Sequence, residues 1–275
     1  MGRVGKKRRP LLYAVLTAAA AVQLMPLILT LFNSLRTNQD IRKFPVGVPS
    51  LGNLGNFVRA WTIGGYSRAF LNSLAVSLSS TAVVMLASVI TGFFLVRSRV
   101  RIRNLLFGYF GVALSVPVFS YLVPLYYTFA DFNLVNSLFG LVLIYIAVNL
   151  PFNILMARTF IQGIPKELDE AATIDGCSTY QLLWRIIFPL SKPVLTTIAL
   201  IVFVTTWNEF TLANTFLQSP LLKTAATRYV LFVAERGADM SMVYTAGIIT
   251  ILPIIIVFIA LQNYFIDGMT AGSIK

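Results

Sequence analysis

One acidic residue, Glu209, lies well inside an apolar run of the sequence, in the segment 205–210. A carboxylate at such a depth is costly unless it faces a cavity or a polar partner. In one interpretation, Trp207, Asn208 and Glu209 line a path, because an aromatic face with carboxylate and amide acceptors suits sugar hydroxyls. In the other, Glu209 forms an internal hydrogen bond or contacts a second subunit. The sequence leaves both open.

A second polar pair, Asn149 and Asn153, flanks Pro151 in another apolar run. The same two interpretations apply to it, a path lining or an internal hydrogen bond.

The sequence has no histidine and a single cysteine, Cys177. These counts exclude a His/Cys metal site, an internal disulfide and a histidine-based catalytic triad. The phosphate-binding pattern GxxxxGK[ST] is also missing from the sequence, so any hydrolysis of ATP requires another chain.

The composition predicts an integral membrane protein. Of the 275 residues, 57% are hydrophobic and only 12% are charged, with a mean hydropathy of +0.79. A soluble domain carries roughly 25% charged residues. The net charge of +12 raises the alternative of nucleic-acid binding. The basic residues flank the apolar runs, however, which is typical of topology signals at a membrane surface.

Six apolar runs are long enough to cross a bilayer, which takes about 20 helical residues. The predicted all-α chain is one transmembrane domain over residues 1–275, with spans at about 11–35, 69–96, 105–130, 138–160, 193–216 and 244–266. The segments 36–68 and 217–243 are predicted loops. Five prolines fall inside the spans, where they either bend helices around a path or serve ordinary packing; they are Pro26, Pro117, Pro124, Pro151 and Pro253.

Basic residues indicate the orientation of the spans. The chain begins with Arg3, Lys6, Lys7, Arg8 and Arg9, and the segment 97–104 carries Arg97, Arg99, Arg101 and Arg103. The segment 131–137 has no lysine or arginine. Since short cytoplasmic loops are enriched in basic residues, we expect both termini and the segment 161–192 to be cytoplasmic. The alternating arginines could also form a phosphate-binding strip, but a topology signal is the better interpretation.

The polar segment 164–193 interrupts the apolar runs and predicts two short helices. Pro165 suits a first helical position, acidic residues occupy the first turns, and Gly176 ends the first helix in the left-handed conformation. Ser178 and Gln181 have the spacing of a capping box that opens the second helix. That helix carries one apolar face, formed by Tyr180, Leu183, Trp184, Ile187 and Phe188, and Pro189 is expected to end it. The segment either docks a protein or lies on the lipid interface.

The residues of this segment resemble the EAA signature of ABC importer permeases. Glu170, Ala171 and Ala172 are followed after three residues by Gly176, then after nine by Ile186, and after two more by Pro189. Every spacing fits, and the one departure is Phe188 in place of leucine. The run Trp207 to Phe210 and the end of the chain, residues 245–275, are similar to the same regions of maltose-type carbohydrate importer permeases, in particular of their second, shorter permease subunit.

This resemblance implies the type I importer fold, with a cytoplasmic coupling helix between spans four and five. It also implies that the coupling residues are Glu170, Ala171, Ala172, Asp175, Gly176, Ile186 and Pro189. The implied partners are a second permease, two ATPase subunits that hold ATP and Mg²⁺, an extracytoplasmic solute-binding protein, a carbohydrate substrate and lipid, in a bacterial or archaeal cytoplasmic membrane. No cofactor, metal or nucleic acid is expected on this chain, and it is not expected to be an enzyme.

A membrane enzyme or a stand-alone carrier is the competing hypothesis. An enzyme requires converging nucleophiles, acids or metal ligands at membrane depth. A proton-coupled carrier usually has a relay of acidic or histidine residues in its spans, whereas this sequence has only Glu209 there. A carrier also has no use for an acidic docking segment.

Overall fold

The computed structural model describes residues 9–49, 53–97, 103–234 and 239–271, and all regular secondary structure in these ranges is helical. Several residues used above for topology lie outside the described ranges: Arg3, Lys6, Lys7, Arg8, Arg99, Arg101 and the chain end 272–275. The helices before the polar segment are α1 (Arg9–Ser34), α2 (Asn38–Lys43), α3 (Gly55–Gly64), α4 (Tyr66–Arg97), α5 (Arg103–Ser115), α6 (Leu122–Asp131) and α7 (Leu138–Gln162). A short 3₁₀ helix, Val118–Tyr121, precedes α6.

The polar segment contains α8 (Glu167–Ile174) and the helical stretch α9 (Thr179–Leu190). The remaining helices are α10 (Lys192–Asn208), α11 (Thr211–Phe216), a 3₁₀ turn (Pro220–Leu222), α12 (Ala225–Ala234) and α13 (Met240–Ala271). The two long predicted loops therefore both contain helices. Neither loop contains a span in its described residues, as the turn residues predicted, but short helices form in both. The helix α2, for example, is capped by Thr37, whose side chain accepts a hydrogen bond from the Asp40 backbone N–H.

Within the described residues, four helices are long and apolar enough to cross a membrane: Leu12–Ser34, Tyr66–Arg97, Leu138–Gln162 and Met240–Ala260. Two further candidates are bent pairs of helices. Arg103–Ser115 and Val118–Asp131 meet at 89°, and Thr179–Leu190 and Lys192–Asn208 meet at 71°. The number of spans is thus four, or up to six if each bent pair counts as one.

Two of the predicted spans differ from the structure because they are not continuous helices. The predicted span 105–130 breaks next to Pro117, whose backbone is extended (ψ 130°). The predicted span 193–216 ends its long helix at Asn208, after only 17 residues, and Glu209 is extended (ψ 121°). Hydropathy averages over both breaks. Pro117 is one of the five prolines expected either to bend a helix or to serve packing, whereas no residue in the run 193–216 indicated the break at Glu209. Pro26, Pro151 and Pro253, in contrast, lie inside unbroken helices.

The described chain forms two compact units. The first comprises the described parts of Met1–Ser67 and Arg228–Leu252. In it, the buried guanidinium of Arg36 donates to Asn33 Oδ1 (2.9 Å) and to the carbonyl oxygens of Phe44 (2.8 Å) and Asp40 (3.1 Å). These bonds fold the chain after α1 back on itself.

The second unit comprises the described parts of Arg68–Thr227 and Pro253–Lys275. One buried apolar cluster joins α4, α7, α9 and α10, and its members include Val89, Phe93, Ile161, Ile187 and Ile198. A second cluster joins α7 with α11 and includes Leu141, Ile144 and Phe216. The polar segment 164–193 is therefore built directly onto the helices of this unit.

Candidate functional site

The short helix α8 is closed at its carboxyl end by a glycine turn. Gly176 has a φ of +77°, which is the left-handed conformation that glycine adopts without steric cost. The Cys177 N–H donates to the Ala172 carbonyl (2.9 Å), and the Gly176 N–H donates to the Thr173 carbonyl (3.0 Å). This pair of bonds is a Schellman motif. The prediction that Gly176 ends this helix in the left-handed conformation is confirmed. Pro165, in contrast, precedes the Lys166 cap instead of opening the helix.

The helix α9 begins with the predicted capping box. The Ser178 hydroxyl accepts from the Gln181 backbone N–H (3.3 Å), and the Gln181 side chain accepts from the Ser178 N–H (2.8 Å). The helix ends at Leu190, one residue after Pro189, so the predicted stop is displaced by a single residue. The stretch Leu182–Ile187 before it is a π-helix, whose wide turn accommodates the missing N–H of Pro189.

The apolar face of α9 holds the segment on the second unit. Leu183 and Ile187 are buried, and Trp184 and Phe188 pack half-buried against the same cluster. Tyr180 belongs to the predicted apolar face but is 71% exposed, with its ring 6.1 Å from that of Trp184. The inner part of the face is thus a support, and its outer end is available to a partner or to lipid.

The outer surface of α8 and its turn carries most of the predicted coupling residues. Glu170, Ala171, Asp175 and Gly176 are exposed, and so is Pro189 at the end of α9. Ile186 is half-buried. Ala172 is buried, so its methyl group packs inside this chain. Ile174 was not among the residues predicted from the sequence. Its side chain is 86% exposed beside the turn and adds an apolar group to this surface.

Asp169 is the one acidic residue of α8 that turns inward. Its Oδ2 atom lies 2.6 Å from Nε of Arg97, the last residue of α4. Burial raises the pKa of the Asp169 carboxyl, and the Arg97 guanidinium opposes that rise. Sequence reasoning missed this pair, because a basic residue at the end of a span already has a topological explanation.

Two of the predicted path residues, Trp207 and Asn208, differ in their exposure. Trp207 is buried, with its ring 5.5 Å from that of Phe70 and 5.7 Å from that of Phe203. Asn208, the next residue, is exposed. In this structure the indole is a packing element, and the amide is the group that faces outward.

Glu209 forms internal hydrogen bonds at the break after α10. Its carboxylate accepts from the backbone N–H groups of Leu212 (2.8 Å) and Ala213 (2.9 Å), at the start of α11. It also accepts from the Tyr145 hydroxyl of α7 (2.8 Å). The carboxylate thus caps α11 and ties it to α7. Tyr145 had no sequence signal, because the contact joins residues that are distant in the chain.

The asparagine pair stabilises α7 around its proline. The Asn149 amide donates to the Tyr145 carbonyl (2.8 Å), and the Asn153 amide donates to the Asn149 carbonyl (2.7 Å). Asn149 Oδ1 accepts from the Thr205 hydroxyl of α10 (3.3 Å). Asn149 therefore connects α7 to α10, and Glu209 connects α7 to α11.

The Glu209 bonds predict a stability effect. We expect Glu209→Ala to lower the free energy of unfolding by about 2–3 kcal/mol, since an intramolecular hydrogen bond contributes about 1 kcal/mol. Tyr145→Phe, which removes one of the bonds, should have about a third of that effect. Thermal unfolding of the purified protein in detergent measures both. Equal unfolding temperatures for Glu209→Ala and the unaltered protein would contradict the capping role.

Among the residues that the structure describes, no group of three or more His, Cys, Asp or Glu side chains is arranged to hold a metal ion. The acidic residues of α8 are divided between an outward surface and an inward ion pair. The segment therefore has a packed apolar base and a charged outer face.

Comparison with known proteins identifies the family of this architecture. Residues 83–270 match the family described as binding-protein-dependent transport system inner membrane component. The chain is 31% identical to the sulfoquinovosyl glycerol transport system permease protein of Agrobacterium fabrum, over 97% of this chain and 94% of that protein. It is 29% identical to the melibiose/raffinose/stachyose import permease protein of Bacillus subtilis, over 93% of each.

A solved structure shares the fold. One chain of a bacterial ABC transporter involved in the import of the acidic polysaccharide alginate superimposes with a TM-score of 0.82, at 21% identity. The superposition covers 96% of this chain and all of that chain.

Proposed function

Because the chain belongs to the family of binding-protein-dependent transport inner membrane components, we propose that it is a permease subunit of an ATP-driven importer of carbohydrates. It is a transporter subunit and not an enzyme, and a separate partner chain hydrolyses ATP. The observation that carries the proposal is that the matched region, residues 83–270, includes the whole of the docking segment. The substrate class follows from the relatives, whose names specify sulfoquinovosyl glycerol and the melibiose group of sugars.

We propose that residues 1–275 form one permease domain with six spans and cytoplasmic termini. The bent pair Arg103–Ser115 with Val118–Asp131 supplies the third span, and α10 with α11 supplies the fifth. The basic residues on either side of the apolar runs support the orientation. The complex then contains a second permease, two ATPase subunits and an extracytoplasmic binding protein, in the cytoplasmic membrane of a bacterium or archaeon. ATP and Mg²⁺ are held by the ATPase subunits.

The coupling helix of this complex is α8. Its exposed residues Glu170, Ala171, Asp175 and Gly176 enter a cleft of the ATPase, where Ala171 allows close approach and Glu170 meets a polar or basic group. Ala172 contributes indirectly, because its buried methyl group packs α8 against its own chain. Ile186 and Pro189 shape the supporting helix α9. For the substrate path we propose Asn208, with Asn149, Asn153, Trp207 and Glu209 as the residues that shape it.

A co-purification experiment tests the assembly. The tagged chain, extracted in mild detergent from its own cells, should bring with it one second permease and an ATPase in twofold amount. Proteoliposomes of that complex should then take up sugar only with ATP inside and the binding protein outside. Recovery of the chain alone, folded and active, would contradict the proposal and favour a stand-alone carrier.

The turn glycine gives a sharper prediction. Apart from its two chain neighbours, no described residue lies within 4 Å of a Cβ atom placed at Gly176. Gly176→Asn should therefore be tolerated within the chain, because asparagine adopts the left-handed conformation readily, whereas a β-branched residue there is strained. We expect Gly176→Val to insert in the membrane but to lose most of its uptake, and Gly176→Asn to lose less. Uptake by Gly176→Val equal to that of the unaltered protein would refute the docking role of this turn.

A further inference from the structure

Arg97 contacts the coupling segment at two places. Its Nε atom lies 2.6 Å from Asp169 Oδ2, in the first turns of α8. Its Nη2 atom donates to the Ile164 carbonyl (2.8 Å), in the link between α7 and α8. The guanidinium is rigid and planar, so one side chain forms the ion pair with Asp169 and the hydrogen bond to Ile164 at once. A two-point attachment restricts the orientation of α8 as well as its position.

The pair is largely removed from water. The Arg97 side chain is 8% exposed and that of Asp169 is 20% exposed. An exposed ion pair is weakened by solvent and salt, whereas a desolvated pair loses much more when one partner is removed, because the other charge is left without compensation. Arg97 therefore differs from a basic residue that only marks the cytoplasmic side of a span.

The end of α4 that carries Arg97 is itself firmly packed. Phe93 is buried in the apolar cluster that also contains Ile161, Ile164 and Ile187. The preceding residue, Gly92, lies so close to α7 that a Cβ atom there would be 2.9 Å from the Arg158 backbone nitrogen. The helix α4 thus has little freedom at this end, and a displacement of α8 acts on it directly through the guanidinium.

On the basis of the proposed function, we propose that Arg97 is a positioning residue that links the coupling helix α8 to the second span, α4. When the ATPase moves α8, the contacts of Arg97 with Asp169 and Ile164 carry that displacement to α4. Without the guanidinium, α8 still docks but moves partly independently of the spans. Fewer substrate molecules are then transported per ATP hydrolysed.

The number of substrate molecules transported per ATP hydrolysed tests this proposal, in proteoliposomes of the complete transporter. We expect Arg97→Met to assemble with its partners and to reduce that ratio at least tenfold. Arg97→Lys should give an intermediate ratio, because an ammonium group is a point charge without the planar fork. The exchanged pair Arg97→Asp with Asp169→Arg should recover part of the ratio. The control is Arg103→Met, which removes an exposed charge at the start of α5 and should leave the ratio unchanged.

Two results would overturn the proposal. The first is an unchanged ratio in assembled Arg97→Met, which would reduce Arg97 to a topology signal. The second is loss of assembly in both Arg97→Lys and the isosteric Asp169→Asn, which would make the pair a requirement of stability alone. Failure of the importer function itself is distinguishable, because the unaltered complex would then show no ATP-driven uptake.

Discussion

Replacement of Ala171 by tryptophan is expected to abolish uptake while leaving the chain in the membrane. Ala171 is exposed on α8, so the new ring extends away from its own chain. In the proposed complex the same ring would occupy the space of the ATPase cleft. Overpacking of a close contact costs about 1–3 kcal/mol, and about 1.4 kcal/mol corresponds to a tenfold change in affinity. We therefore expect ATPase binding to weaken by about ten- to a hundredfold.

The neighbouring alanine provides the contrast. Ala172 is 4% exposed, so Ala172→Trp should disturb the packing of α8 on its own chain and lower the yield of folded protein. Gln162→Trp adds the same ring at an exposed position outside α8 and should affect neither yield nor ATPase recovery. The measurements are the amount of ATPase that co-purifies and the rate of uptake. Normal ATPase recovery with Ala171→Trp would show that α8 does not enter the cleft.

Local structure of the coupling segment was predictable from the sequence because its signals are local. The left-handed turn at Gly176 and the capping box of Ser178 and Gln181 are each satisfied by hydrogen bonds within six residues. Such bonds form whatever the rest of the chain does. The same holds for the long apolar helices α1, α4 and α7, whose length is set by the width of the bilayer.

The break in the fifth predicted span was not predictable in this way, whereas the break in the third lies at Pro117, a proline already named as a candidate bend. The extended conformation of Glu209 is stabilised by Tyr145, which lies 64 positions away in the sequence. A hydropathy window contains no information about such a partner. The π-helical turn before Pro189 lies on the face of α9 that packs on α4 and α7, and the sequence pattern contained no sign of this turn.

Arg97 shows a different limit of sequence-based prediction, because one residue has both a topological and a structural role. The sequence accounts for it as a topology signal, and the structure adds an ion pair with Asp169 across 72 positions. Trp207 is the reverse case, because a residue type suited to sugar stacking is packed between Phe70 and Phe203. Residue type limits the interactions that a side chain can form, but the packing of neighbouring helices decides which of these interactions it forms.

The contact of α4 with α7 at Gly92 leads to the second large expected effect. A Cβ atom at Gly92 would lie 2.9 Å from the Arg158 nitrogen and 3.2 Å from the Ala157 carbonyl carbon, both of which are backbone atoms. A side chain there can be accommodated only if the two helices separate. We expect Gly92→Ala to destabilise the protein by about 1–3 kcal/mol and Gly92→Leu to prevent recovery of the folded chain.

The matched control is Gly108→Leu in α5, because a Cβ atom at Gly108 would meet nothing within 4 Å. Size-exclusion chromatography in detergent measures the folded fraction of each variant, and thermal unfolding ranks Gly92→Ala against the unaltered protein. Separation of α4 from α7 also moves Arg97 away from Ile164, so uptake by residual Gly92→Ala transporter should fall further than its folded fraction. A folded, fully active Gly92→Leu transporter would mean that these helices do not approach as closely as described, and that α4 is not the rigid base on which Arg97 holds the coupling helix.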